Sequence, residues 1–271
     1  MKPSIIYVIS LGHSGSTILQ YLLASQKNVL GLGEVNQIAK YHGTLDYSSK
    51  CSCDYPIKIC SIWCNLINKE HASDISFYKN LTKQLCLKFP QFSHWVDTSK
   101  SIKGISPWLT LLAEGEISNV KILFLTRDVR GWVLSEQSRR YRKSLFRRPL
   151  FLLMLDWKRR QKRLIKNLQH SQISFLIVSY ESLIFQTQFA LSRIANFVPL
   201  SSNTNMWNTN LNHAIVHDVF GNRMKNDPVK RSTINYDDTW QYHLGINVLT
   251  PLLLPIWQFN TKLRKQSYLK N

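Results

Sequence analysis

Residues 10–19, SLGHSGSTIL, have the types and spacing of a loop that could hold an anion. They follow the apolar run IIYVI and lead into a segment with helical periodicity. Phosphate groups bind well at such junctions, because N–H groups of the first helical turn point at the ligand. The glycines, Gly12 and Gly15, would allow close backbone approach, and hydroxyl donors would come from Ser14, Ser16 and Thr17. An ordinary Gly/Ser turn that caps a helix explains the segment equally well.

The loop lacks the lysine of the nucleoside-triphosphate P-loop, G-x-x-x-x-G-K-[ST]. Its two glycines are also closer together than that motif requires. A loop without this lysine supplies less positive charge, which suits a ligand group with less negative charge, such as a phosphosulfate. That group carries about one negative charge on each of phosphorus and sulfur, against roughly four on a triphosphate.

A second motif, ILFLTRDVRGWVLS at 122–135, is a strand followed by Arg127 and by a helix that carries Ser135. An arginine at a strand end and a serine two turns into the next helix could jointly hold a second phosphate, the arginine by a bidentate fork. The alternative is that Arg127 and Asp128 form a surface ion pair and that Ser135 is a small core residue.

The composition predicts a folded protein with an anionic partner. The chain has 271 residues, 44% of them apolar, which is enough for a full core. Its formal net charge of +19 indicates a nucleotide, a nucleic acid, an acidic polymer or a membrane surface as partner. No apolar stretch reaches the roughly 18–20 residues of a membrane helix. The N-terminus shows no small-residue cleavage pattern, so we expect a cytoplasmic protein, with a peripheral position at a membrane left open.

Apolar strands alternate with helical segments along the chain. Strands are predicted at SIIYVIS, NVLGLGEV, FSHWVDTSKS, VKILFLTRD and ISFLIVSY, and a final helix near 243–268. This alternation predicts an α/β fold, a three-layer sandwich with a central parallel sheet and a P-loop-like loop after the first strand. We predict one domain over 1–271, with a Cys-rich insertion at 40–70 and a loop-rich stretch at 200–240.

Together the two motifs resemble those of the sulfotransferases that use 3′-phosphoadenosine 5′-phosphosulfate (PAPS). Further segments resemble this family in the same order: CSCDYPIKICSIW, WVDTSKS, FLIVSYESLIFQTQFALSRIANFV and HDVFGNRMK…INYDDTW. The resemblance implies that residues 12–17 hold the 5′-phosphosulfate, and that Arg127 and Ser135 hold the 3′-phosphate. It implies sulfuryl transfer to a hydroxyl of a sugar, glycolipid or other alcohol, with adenosine 3′,5′-bisphosphate as product and no metal required.

The resemblance also implies that residues 200–240 fold over the nucleotide and contribute four contacts, from Asn222, Lys225, Lys230 and Arg231. We expect His217 to stabilise this loop. Two positions depart from the family pattern, because His13 and Lys225 stand where many relatives have arginine. Both keep a hydrogen-bond donor.

Sulfuryl transfer needs a base for the acceptor hydroxyl and donors for the leaving phosphate oxygen. Glu34, in GLGEVNQI, resembles the catalytic glutamate of tyrosylprotein sulfotransferases, so we predict it as the base. His13 and Lys100 are candidates for stabilising the leaving oxygen. The alternatives are a helix-capping role for Glu34 and a solvated surface position for Lys100. His94 is a rival base, but it precedes the strand end and we expect it to point away from the site.

Four of the five cysteines lie in CSCDYPIKICSIWC at 51–64. Their spacing is not the paired C-x-x-C of common zinc sites. Zinc, a disulfide and reduced structural thiols are therefore all open for this cluster, and no metal ligand is predicted.

Residues 139–166 carry twelve of the 35 lysines and arginines against one acid, Asp156. A long basic amphipathic helix here could lie on an anionic membrane surface, or could simply present a solvated basic face. Nucleic acid is not expected as a partner. Two other functions are open from the residues alone: a P-loop nucleotide kinase, and a non-catalytic basic protein that binds membrane or nucleic acid.

Overall fold

The computed structural model describes residues 2–46, 48–67, 71, 73–143, 148–200, 210–221, 224, 227 and 234–268. Five strands are present: β1 (Ser4–Ser10), β2 (Val29–Gly33), β3 (His94–Lys100), β4 (Asn119–Thr126) and β5 (Phe175–Ser179). The α-helices are α1 (Ser16–Ala24), α2 (Val35–Tyr41), α3 (Cys64–Ile67), α4 (Asp74–Lys88), α5 (Ser106–Ala113), α6 (Val129–Lys143), α7 (Leu150–His170), α8 (Tyr180–Phe185), α9 (Thr187–Phe197), α10 (Leu244–Leu252) and α11 (Leu254–Gln266).

The strands form one parallel sheet in the order β2-β3-β1-β4-β5, flanked by helices. The prediction of an α/β fold with a central parallel sheet is therefore confirmed. All seven residues of β1 are buried, as expected for a central strand that is covered on both faces. Because β1, β2 and β3 run parallel, their carboxyl ends lie at the same edge of the sheet.

The chain divides into two compact units. The first, which we call the β1–β3 unit, comprises residues 1–9, 17–122 and 198–234. The second, the β4–β5 unit, comprises residues 10–16, 123–197 and 235–271. The single domain expected over 1–271 stays a prediction, and each unit is described below by itself.

Each unit has aromatic residues in its core. In the β1–β3 unit, the rings of Tyr78 and Trp108 meet edge to face with centroids 4.7 Å apart. In the β4–β5 unit, Trp132 and Trp157 are almost fully buried with apolar residues of α6, α7 and α11. Each of these large side chains buries a large apolar area and so contributes strongly to the stability of its core.

Several elements differ from the sequence analysis, which did not predict the short helices α2 and α3. Helix α4 was not predicted, although a capping box at Ser73 and Ser76 starts it. The single helix expected near 243–268 is two helices that meet at Leu253. Pro255, at the start of α11, explains the break, because proline has no N–H to donate to the preceding turn and its ring clashes with the carbonyl four residues earlier in a continuous helix.

Among the described residues, no helix is long and apolar enough to span a bilayer.

Candidate functional site

The loop between β1 and α1 has the backbone geometry of an anion-binding turn. His13 and Gly15 have positive φ values of 65° and 92°. Alternation of left- and right-handed residues of this kind turns successive N–H groups toward one concave side. The loop ends at the N-terminus of the nine-residue helix α1, where the helix dipole adds partial positive charge.

Two side chains fix the orientation of the loop peptides. Trp132 Nε1 donates to the carbonyl of Gly12 at 2.7 Å, and Arg127 Nη1 donates to the carbonyl of His13 at 3.1 Å. In a trans peptide the N–H points opposite to the C=O, and the described residues contain no cis bond. The N–H groups that follow these carbonyls are therefore directed away from Trp132 and Arg127.

Gly15 lies directly under the ring of Tyr180. A Cβ at Gly15 would approach Tyr180 Cδ2 to 2.5 Å, which is far inside van der Waals contact. Only glycine satisfies both this close approach and the positive φ without strain.

Replacing Gly15 by alanine should therefore lower the free energy of unfolding by about 1–3 kcal/mol. The matched control is Gly12→Ala, because nothing lies within 4 Å of a Cβ built at Gly12. Urea unfolding of both variants measures the difference. Equal stability of the two variants would show that the loop does not hold Gly15 against Tyr180.

Arg127 is the buried cation of this region. Besides the His13 carbonyl, it donates from Nη1 to Ser135 Oγ at 3.2 Å and from Nη2 to Asp237 Oδ2 at 2.7 Å. Its guanidinium also lies 4.7 Å from the ring centroid of Tyr180, a cation–π contact. The predicted residues Arg127 and Ser135 are thus in direct contact beside the loop.

Arg127 and Asp128 do not form the surface ion pair that was the alternative interpretation. Asp128 is buried and accepts hydrogen bonds from Arg130 (2.9 Å) and from Arg264 (2.9 Å). Although burial acts to raise the pKa of Asp128, these cationic partners hold it below its usual value. Asp128 therefore anchors the start of α6 and does not pair with Arg127.

The Asp237 carboxylate, which accepts a hydrogen bond from Arg127, shows that an anionic group fits beside this guanidinium. Burial acts to raise the pKa of Asp237, but the hydrogen bonds from Arg127 and Thr239 outweigh it, and the pKa lies below its usual value. The ionised carboxylate thus occupies a position that suits a phosphate oxygen. Ser135 Oγ offers a second hydrogen-bonding group beside it.

The remaining loop side chains have different surroundings. Ser14 Oγ is buried and has no hydrogen-bond partner among the described residues. Ser16 is buried at the start of α1, and Thr17 follows it. The imidazole of His13 lies with Nε2 at 3.7 Å from Glu136 Oε2, which orients the ring.

In the β1–β3 unit, the structure brings together Glu34 and Lys100. Glu34 follows β2, Lys100 ends β3, and Lys100 Nζ donates to Glu34 Oε1. Lys100 has a positive φ of 68°, which is uncommon for a residue with a side chain and clusters at functional sites. The alternatives were a helix-capping role for Glu34 and a solvated surface position for Lys100. Glu34 does precede α2, but its side chain pairs with Lys100, so neither alternative describes the pair fully.

Asp97 supports the end of β3 from inside the core. It accepts hydrogen bonds from the backbone N–H of Ser99 at 2.8 Å and from Trp108 Nε1 at 2.7 Å. Burial raises the pKa of Asp97 to about 7, against the effect of these hydrogen bonds. Ser99 Oγ in turn accepts from the N–H of Asn36 at 2.9 Å, which links the end of β3 to the residues just after Glu34.

His94 begins β3, at the opposite end of the strand from Lys100. Burial lowers its pKa. The structure thus agrees with the expectation that His94 points away from the carboxyl edge of the sheet.

Asn222, Lys225, Lys230 and Arg231, the four predicted contacts from the closing loop, lie outside the described residues. His217 is described, and its Nδ1 lies 3.2 Å from Cys60 Sγ in a cluster with Cys51 and Cys53. None of the five cysteines, all within the described part of the chain, forms a disulfide.

Sequence reasoning missed three residues of the site: Trp132, Tyr180 and Asp237. Tyr180 covers Gly15 and Arg127, and it stacks on Tyr236 with ring centroids 5.9 Å apart. An aromatic residue directly after a buried strand was the available signal for Tyr180. No local pattern marks Asp237, because its importance comes from its contact with Arg127.

A parallel α/β sheet with a glycine loop after its central strand is the architecture of proteins that bind anionic ligands at strand ends. Comparison with known proteins is more specific, since the sulfotransferase family profile matches residues 3–203. The chain belongs to the sulfotransferase family, and it is therefore an enzyme.

One solved structure supports this fold. The sulfotransferase domain of the Synechococcus PCC 7002 olefin synthase aligns over 100% of this chain and 96% of its own, with a TM-score of 0.53 and 17% identity. The sulfotransferase domain from the curacin biosynthetic pathway aligns over 93% of this chain and 98% of its own, with a TM-score of 0.49 and 15% identity. A search of curated protein sequences gives no match.

Proposed function

We propose that the enzyme transfers the sulfuryl group of PAPS to a hydroxyl of a sugar, glycolipid or other alcohol, with Glu34 as the general base. The observation that carries the proposal is the set of contacts made by Arg127, which reaches the loop carbonyl of His13 and Ser135 Oγ at once. The loop could bind one phosphate group and the buried Arg127 beside it could bind another. This arrangement suits a ligand with two separate phosphate groups.

Features of the β4–β5 unit fit the donor. The loop residues would hold the 5′-phosphosulfate: Gly12, His13, Ser14, Gly15, Ser16 and Thr17. Arg127 and Ser135 would hold the 3′-phosphate, in the position where Arg127 now binds a carboxylate. Bound there, PAPS would supply an activated sulfuryl group on a phosphate leaving group.

The reaction also needs groups that manage protons and charge. Glu34 would accept the proton of the acceptor hydroxyl, because a carboxylate is the form that can take one up. Lys100 would hold the Glu34 carboxylate and, with His13, would stabilise negative charge on the leaving oxygen. Asn222, Lys225, Lys230 and Arg231 remain predicted nucleotide contacts.

Family membership excludes the kinase and the non-catalytic basic protein as alternatives. The experiment that tests the proposal is incubation of the full chain with radiolabelled PAPS and extracts of lipids or carbohydrates. Label should move to an acceptor in the absence of ATP. Failure to label any hydroxyl compound, with PAPS left intact, would contradict the proposal.

The exposed side of α7 is a surface that could contact a membrane in which a lipid-linked acceptor lies. Phe151, Leu152 and Leu155 are 43%, 43% and 48% exposed, although they belong to a helix whose other apolar residues are buried or partly buried. Arg148 and Arg159 line the same groove as Leu152 and Leu155. We propose that this surface, Phe151, Leu152 and Leu155 with the flanking arginines, binds an anionic membrane surface, as interfacial basic helices do.

The α7 surface should make the protein sediment with phosphatidylserine-containing vesicles and not with pure phosphatidylcholine vesicles. Leu152→Glu should reduce the bound fraction several-fold, because it places a negative charge against anionic lipid. The control is Leu87→Glu, at a leucine of α4 that is 72% exposed. Equal binding to both kinds of vesicle, or no binding, would contradict a membrane-facing role.

A further inference from the structure

We propose that Cys51, Cys53, Cys60 and His217 together bind one zinc ion as a structural site. The three sulfur atoms and an imidazole nitrogen all lie within 4.8 Å of one another. They come from two segments far apart in sequence, so the fold alone brings His217 to the cysteines. Of the three states that the sequence left open, zinc, a disulfide and reduced thiols, the proposal selects zinc.

The distances between ligand atoms fit a tetrahedral ion. Cys60 Sγ lies 3.7 Å from both Cys51 Sγ and Cys53 Sγ, and 3.2 Å from His217 Nδ1. With zinc–sulfur bonds of about 2.3 Å and zinc–nitrogen bonds of about 2.0 Å, tetrahedral geometry gives about 3.8 Å between sulfurs and about 3.5 Å between sulfur and nitrogen. A disulfide would need its sulfur atoms at about 2.05 Å.

The donor set and its burial point to zinc in a closed site. Three thiolates and one imidazole suit zinc better than magnesium or calcium, which prefer oxygen ligands. Cys51, Cys60 and His217 are buried, and Cys53 is partly exposed, which leaves a path for the ion to enter. Four protein ligands leave no open position for a substrate, so the site is structural.

The backbone holds the cysteine segment in a compact turn. The N–H of Cys51 donates to the carbonyl of Tyr55 at 2.9 Å, and the N–H of Cys60 donates to that of Pro56 at 3.1 Å. Asp54, at the tip of this turn, has a positive φ of 68°. This ordering places the three thiols in position through hydrogen bonds that do not involve the thiols themselves.

The cluster is connected to the strand that precedes Glu34. The N–H of His217 donates to the carbonyl of Gly31 in β2 at 2.8 Å. Ser52 Oγ donates to the carbonyl of Val216 at 2.6 Å, which ties the cysteine turn to the same segment. Zinc would therefore fasten the 51–60 turn and the 216–218 segment against β2, and would act on Glu34 only by positioning it.

The test is metal analysis of the untagged full chain, purified without chelator. We expect about one zinc ion per chain. Cobalt(II) substitution should give an intense thiolate-to-cobalt charge-transfer band and the visible bands of a tetrahedral ion. Cys60→Ser and His217→Ala should each reduce the metal content to near zero. The matched controls, Cys64→Ser and Cys86→Ser, change cysteines outside the cluster and should leave it unchanged.

A second measurement uses only the wild-type chain, so it does not depend on whether the variants fold. In the zinc-bound wild-type chain, an alkylating reagent should modify the partly exposed Cys53 only after a chelator is added, and the chelator should lower the thermal unfolding midpoint. The proposal is overturned if refolding with zinc yields no bound metal, if mass spectrometry shows a disulfide within the cluster, or if Cys53 reacts equally with and without chelator. None of these readouts requires sulfuryl transfer, so they are independent of the proposed function.

Discussion

Replacement of Arg127 by alanine should weaken the binding of adenosine 3′,5′-bisphosphate about 100-fold or more. Arg127 is buried, and it would donate two charge-assisted hydrogen bonds to the 3′-phosphate, each worth about 1.5–3 kcal/mol. A loss of about 3 kcal/mol corresponds to roughly a 100-fold rise in Kd. Isothermal titration calorimetry measures the change directly.

The selectivity of the loss separates a phosphate contact from general damage to the fold. The Arg127→Ala variant should lose much less affinity for adenosine 5′-phosphate, because that ligand lacks the 3′-phosphate and only the contact of Arg127 with the His13 carbonyl of the loop bears on it. Arg159→Ala is the matched control, at an arginine whose side chain is 72% exposed, and it should leave both affinities unchanged. If Arg127→Ala weakened both nucleotides equally, Arg127 would not be the 3′-phosphate ligand.

Replacement of Glu34 by glutamine should lower kcat by about 100- to 10,000-fold, the usual effect of removing a general base. Glutamine keeps the size and a hydrogen-bonding oxygen but cannot accept the proton. Binding of adenosine 3′,5′-bisphosphate should be preserved, since Glu34 is not placed among its ligands. The loss should thus appear in the chemical step and not in donor affinity.

The control for this substitution is Glu114→Gln, which removes a carboxylate from an exposed ion pair with Lys79. Its kcat should equal that of the wild type. Normal turnover by the Glu34→Gln variant would show that Glu34 is not the general base. Its contact with Lys100 would then be its only assigned role. A parallel loss of turnover and of nucleotide binding would instead assign it a structural role.

Much of the fold could be predicted from the sequence because its strands are short, buried and apolar. The segments SIIYVIS and VKILFLTRD both form strands of the central sheet. The residues predicted to contact PAPS follow these strands. Local composition is informative here, since a strand covered on both faces is a nearly continuous apolar run. Helix α4 is weakly amphipathic, and this explains why it was not predicted.

The residues that complete the site could not be predicted in the same way. Tyr180 and Asp237 reach Arg127 from distant parts of the chain, so their role depends on tertiary packing. Only the position of Tyr180 directly after a buried strand gives a local signal, and Asp237 has none. The spacing of the cysteines alone did not indicate zinc, because the fourth ligand, His217, follows Cys60 by 157 residues. Long-range ligands of this kind become visible only when the chain is folded.

The measurement that tests the central claim most directly is calorimetric titration of the wild-type chain with adenosine 3′,5′-bisphosphate and, separately, with adenosine 5′-phosphate. If the loop after β1 and Arg127 grip the two ends of one nucleotide, the bisphosphate should bind about 100-fold more tightly. Equal affinity for the two nucleotides, or no binding of either, would contradict the donor site.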